Sequence, residues 1–216
     1  MTAARLGTSV AWGLIAFLSV GVGGYALFHV ATGFQFLPLE NPMFSPWGLR
    51  VHIGASAVAM IVGAFQFLKV LRQKAPAVHR WMGRIYIAAC VVGGLAGGTI
   101  ALSSTAGPIA GWGFFLLAVL WVPFTLLAWT SAMRRDFVAH ERWMIRSFAL
   151  TFAAVTLRLQ LPAVGVLEMD FLPAYRVIAW SAWVPNLIVA ELWIASRRWP
   201  KRPPKQPKSA SATAPA

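Results

Sequence analysis

Long apolar runs separated by short polar or basic stretches set the rhythm of this chain. Six of them approach or exceed the ~20 residues a helix needs to cross a hydrocarbon layer. The pattern predicts an all-α fold: a six-span transmembrane helix bundle, with spans at about 8–33, 49–71, 77–103, 112–133, 137–164 and 174–196. Local signals agree. Pro76 suits the first turn of the third helix, where a missing N–H costs nothing. Asp136 is placed to cap the fifth. Pro123 predicts a kink in the fourth span, and Pro185 lies inside the sixth, where Asn186 is expected to bond to backbone that the kink frees. Phe34–Gly48, with Pro38, Pro42, Pro46 and Glu40, reads as an ordered outer connection, and Gly165–Pro173 as an outer turn. The tail, residues 197–216, is basic and poor in large apolar groups, and predicts disorder.

Composition sharpens the class. The chain is 58% hydrophobic and 12% charged, against ~25% charged in soluble proteins. A net charge of +13 would suit nucleic acid, but 16 of the 19 Lys and Arg fall in the N-terminus, the 69–84 and 134–146 segments and the tail. Basic residues alternating by loop are the positive-inside signature, which excludes a nucleic-acid face, makes the lipid bilayer the partner and puts both termini in the cytoplasm. Trp81, Trp143, Trp193 and Trp199 fall at the same boundary, as an aromatic belt would. Cys90 is the single cysteine, so no internal disulfide or cysteine-built metal site can form.

Two segments echo one another: His79-Arg80-Trp81-Met82-Gly83-Arg84 and His140-Glu141-Arg142-Trp143-Met144-Ile145-Arg146. Each opens a helix at the inner face, and spans two–three and four–five read as a parallel repeat of one hairpin. Stepping by fours and threes follows one helix face. It gives His52, Ser56, Ala59, Gly63, Gln66 on span two, His79, Gly83, Tyr86, Cys90, Gly93, Gly97 on span three, and His140, Met144, Ser147, Thr151, Ala154, Arg158 on span five. Small and hydroxyl-bearing stripes of this kind pack helices closely and bond across them. Headed by histidines, they also suit the walls of a cofactor or substrate site.

The histidines fall in two pairs, one per membrane face: His79 with His140 inside, His29 with His52 outside. Paired imidazoles on facing helices can hold a b-type haem as its two axial iron ligands, leaving no open site for oxygen. Arg80, Arg84, Arg142 and Arg146 stand near the inner pair to meet propionates, and Arg158 near the outer one, where it can snorkel. Gln66 lies at the depth of His79 and His140 and joins them in a proton or quinone site. Glu191 is placed to pair with an inner-loop Arg. The layout resembles the transmembrane di-haem cytochromes b in architecture only, because span four carries no His. No HExxH, nucleophile elbow or phosphate loop appears, which sets hydrolase and nucleotide chemistry aside.

The strings HIGASAVAMIVGAFQFL from His52, HRWMGRIY from His79, HERWMIRSFALTFAAVTLRLQLP from His140 and WVPNLIVAE from Trp183 resemble a family of bacterial membrane proteins, domain-of-unknown-function family 2306, over about residues 49–195. The chain departs from that pattern at Glu141, where a basic residue is common, and at Phe148, where Tyr is common. The resemblance implies an integral protein of the bacterial inner (plasma) membrane; the haem reading comes from the residues instead. Three functions follow. The first is a haem-b-binding electron carrier or quinone-linked redox protein with a redox partner. The second is a small-solute or proton transporter, and the third a membrane scaffold.

Overall fold

The computed structural model describes residues 3–33 and 46–200. The expected outer connection over 34–45 and the tail beyond Pro200 lie outside the described residues. Everything described is helix, turn or irregular chain. The helices are α1 (Ala3–Ala31), α2 (Pro46–Gln66), α3 (Lys69–Lys74), α4 (Pro76–Leu102), α5 (Pro108–Met133), α6 (Phe137–Thr151), α7 (Ala153–Val166), α8 (Phe171–Ser181) and α9 (Val184–Ser196). Six stretches are long and apolar enough to cross a bilayer, with α6–α7 and α8–α9 each forming one.

Starts and stops follow the chemistry of the ends. Pro76 and Pro108 each open a helix, the latter after Gly107 at φ +90°, a conformation side chains other than hydrogen resist. Asp136 caps α6, its carboxylate accepting from the Ala139 N–H at 3.1 Å. The basic 69–77 loop contains the short α3.

The expected effects of the internal prolines are redistributed. α5 runs unbroken through Pro123, whereas the last span is interrupted at Ala182–Trp183, just before Pro185. Pro185 has no N–H to offer the Ser181 carbonyl four residues back. That carbonyl accepts from Gln160 Nε2 at 3.3 Å, and the Ser181 hydroxyl donates to Gln160 Oε1 at 2.8 Å. Asn186 bonds to backbone at the interruption, as expected, donating to the Ala182 carbonyl (3.0 Å), and it also donates to Thr156 (2.9 Å). The freed carbonyls are thus met from two sides, Ser181 by Gln160 of α7 and Ala182 by Asn186.

The packing order is α1 on α2, α2 on α4, α4 on α5 and α5 on α6, with α8 set against α5 and α9 against α6. Small residues fill the contacts: Ala57, Ala59, Ala64, Ala110 and Ala128 are buried. Large apolar side chains face outward, Phe17 at 74% and Trp47 at 73% exposure among them. A water-soluble protein does not expose so continuous an apolar girdle; a helix bundle in lipid does.

Connections 67–75 and 134–136 and the start of the tail share one end of the bundle, here the basic end. Residues 197–200 pack back onto that end rather than trailing away. Arg197 donates to Glu141 at 2.7 Å, and Trp199 Nε1 to the Ile194 carbonyl at 2.8 Å.

Candidate functional site

The small stripes of α4 and α6 do meet, and a hydroxyl network closes between them. The Tyr86 phenol, fully buried, lies 2.8 Å from the Ser147 hydroxyl and 3.0 Å from that of Thr151. Thr125 reaches Ser147 at 2.6 Å, and Trp121 Nε1 donates to Thr151 at 2.9 Å. The Cys90 thiol is buried among these groups. Trp121 and Thr125 come from α5, a helix the sequence stripes leave out. Stepping by four and three along α5 would have found them, since Trp121, Thr125 and Ala128 are all buried.

Gly63 makes this layer possible. A Cβ there would stand 2.7 Å from the Tyr86 ring and 2.8 Å from Phe148. The layer is therefore tightly packed at Gly63.

The inner histidines and Gln66 lie toward the basic end. His140 Nδ1 donates to the Ala128 carbonyl at 2.8 Å, fixing the ring on α5 and leaving Nε2 as the free nitrogen. His79 lies within electrostatic reach of His140, Arg72 and Arg80. Gln66, 5% exposed, places Oε1 3.7 Å from where a Gly83 side chain would begin, one turn along α4 from His79. Gln66 Nε2, His79 Nδ1 and Trp12 Nε1 are three nitrogens buried without a hydrogen-bond partner among the described residues, and Arg142 Nε at the same end is a fourth. Trp12, missed in the sequence, packs in tilted geometry against Phe67, with ring centres 4.9 Å apart, and against Phe148 at 5.8 Å. Buried polar groups are ordinarily satisfied, so open nitrogens at one end mark it out.

The arginines divide. Arg146 is held by Glu191 and lies over Trp143, its guanidinium carbon 4.6 Å from the ring centre. Arg84 is exposed over Trp81 at 4.6 Å, and Arg80 is exposed. Arg142 lies over Trp199 at 4.7 Å with Nε buried and unpartnered. Glu141, the departure from the family pattern, is bonded to Arg197.

At the opposite end His52 mirrors His140 by binding a helical carbonyl, Nδ1 to Gly93 O at 2.8 Å. Gly97 makes room for its ring, which a Cβ would approach to 2.6 Å. His52 interacts electrostatically with Arg158. His29 is buried with Nδ1 unpartnered, its ring edge-on to Tyr25 at 4.4 Å.

The family model described as "Predicted membrane protein (DUF2306)" matches residues 49–194. The chain belongs to the DUF2306 family. The match takes in α2 to α9 up to Ile194, and so contains the hydroxyl network and Gln66, His79, His140, His52 and Arg158. Trp12 and His29, on α1, lie outside the DUF2306 region. No curated protein and no solved structure matches the chain. The chain is thus a multi-pass membrane protein of a family that carries no activity over to it.

Proposed function

We propose that this DUF2306 member is a quinone-linked membrane redox protein whose basic-end site binds the quinone headgroup. The observation that carries this reading is that Gln66 Nε2 and His79 Nδ1 are both buried and unpartnered at the basic end, with His140 within electrostatic reach of His79. A quinone carbonyl is an acceptor that would satisfy such donors, and its isoprenoid tail belongs in the lipid around the bundle. His79 would set a ring nitrogen against the headgroup, through which a proton could pass. Reduction takes two electrons and two protons; the electrons would come from a redox partner. Equilibrium binding of a short-chain ubiquinone analogue to protein in lipid nanodiscs tests the reading. Saturable binding weakened about tenfold by Gln66→Ala and by His79→Ala is expected. No saturable binding would remove it.

A second reading, haem b, is favoured by one observation. His140 is fixed through Nδ1 and presents Nε2, the arrangement a metal-binding imidazole needs. His79 and His140 would hold the iron, and the bound haem would carry one electron at a time. Arg80 and Arg142 would serve its propionates, since Arg146 is taken by Glu191.

A further inference from the structure

Arg158 is the unusual charge in this protein. The α6–α7 span is 30 residues long, ~45 Å against a hydrocarbon layer of ~30 Å. Arg158 lies ~10 Å from the middle of that span, inside the apolar layer. It does not snorkel outward, as the sequence suggests. Its guanidinium folds back along α7, and one N–H donates to the Ala154 carbonyl at 3.1 Å. Long helical side chains lean toward the N-terminus, which on α7 is the direction of the membrane interior.

No carboxylate among the described residues pairs with it, since the two ion pairs found there join Arg146 to Glu191 and Arg197 to Glu141. Its electrostatic neighbours are two tyrosines and a histidine: Tyr25 on α1, Tyr175 on α8 and His52 on α2. One ring further, His29 packs against Tyr25 with a buried, unpartnered Nδ1. One turn beyond His52, Ser56 Oγ is buried and unpartnered as well. An intramembrane cation bonded to one carbonyl of its own helix, with no carboxylate paired to it among the described residues, has guanidinium N–H groups left for an anion.

We propose that the end of the bundle opposite the basic loops binds a phosphate oxyanion on Arg158, with the Tyr25 and Tyr175 hydroxyls as further donors. The guanidinium fork has four N–H groups left after Ala154, and two of them match two oxygens of one phosphate. The phosphate is either free or the headgroup of an anionic lipid, and the two are separable.

The test uses the full chain in phosphatidylcholine nanodiscs, titrated calorimetrically with inorganic phosphate. It is paired with native mass spectrometry after reconstitution with phosphatidylglycerol. Saturable phosphate binding, weakened about tenfold or more in Arg158→Gln, supports a free-anion site. No phosphate binding, but a retained phosphatidylglycerol that Arg158→Gln loses, supports the same site with a lipid ligand. Binding of neither probe, or binding that Arg158→Gln leaves intact, overturns the proposal. Should Arg158→Gln fail to fold, Arg158→Lys decides. It keeps the charge and loses the fork, so weakened binding supports the site and unchanged binding overturns it.

Discussion

Arg146 on α6 forks onto Glu191 on α9, Nε to Oε1 at 2.6 Å and one terminal N–H to Oε2 at 2.8 Å. The bond ties the last span to the core helix that carries His140. Glu191 is 46% exposed, so at an aqueous surface such a pair would contribute ~0–1 kcal/mol. Both residues lie in stretches that cross the membrane, where water competes less, and the geometry is bidentate. Glu191→Gln is expected to lower stability by ~1–2 kcal/mol, read as a lower unfolding midpoint in mild detergent.

The Tyr86 phenol bonds two hydroxyls at once. Tyr86→Phe keeps the ring and removes both bonds. The expected cost is ~1–2 kcal/mol, near the upper end for hydrogen bonds between membrane helices. A double-mutant cycle with Ser147→Ala should show coupling of ~0.5 kcal/mol or more, because the two groups touch. Strict additivity would mean the network contributes nothing as a unit.

Gly63 and Gly24 make a matched pair of substitutions. A Cβ at Gly63 meets the rings of Tyr86 and Phe148 under 3 Å away, whereas at Gly24 nothing lies within 4 Å. Gly63→Ala should destabilise by ~1–3 kcal/mol through overpacking. Gly24→Ala should be neutral or slightly stabilising, since Ala favours the helix. Thermal unfolding of the two variants side by side measures the contrast.

Gln160 supplies the donor that Pro185 withholds from Ser181. Gln160→Leu keeps the volume and leaves that carbonyl unpaired inside the membrane. A loss of ~1–2 kcal/mol is expected, together with faster amide exchange around Ala182 and Trp183. Exchange there as slow as in the native chain would show that the side-chain bond is not needed.

Absorbance separates the two redox readings. With haem b bound, the purified protein shows a Soret band that sharpens with dithionite, and His79→Ala or His140→Ala abolishes it. With quinone alone there is no Soret band, and ubiquinone-analogue binding responds to Gln66→Ala. A Soret band unaffected by either histidine variant would take both rings out of the account.

Several features were legible in the residues because they are set locally. Length and apolarity mark six spans, Asp136 announces its cap, and Glu191 announces its need for an inner arginine. Stripe periodicity found Tyr86, Ser147 and Thr151 as neighbours on their own helix faces. Trp121, Thr125, Gln160 and Trp12 were not legible as partners. Each acts across a helix contact whose rotation and depth no single helix records. The kink bond expected of Asn186 is made to Ala182, while the second one, from Gln160 to Ser181, comes across a helix contact.

What the sequence determined by itself is the class of molecule, because transfer of apolar side chains into lipid depends on local composition and hardly on neighbours. It also determined two of the helix openings, at Pro76 and after Asp136. Tertiary structure decided which polar groups find partners. It gave Arg146 an acid, His140 and His52 a carbonyl each, and Tyr86 two hydroxyls. It left Gln66, His79 and His29 with open nitrogens, and Arg158 without a carboxylate among the described residues. Hydrogen bonds and ion pairs act over a few ångströms, so only the packed arrangement of helices can assign them.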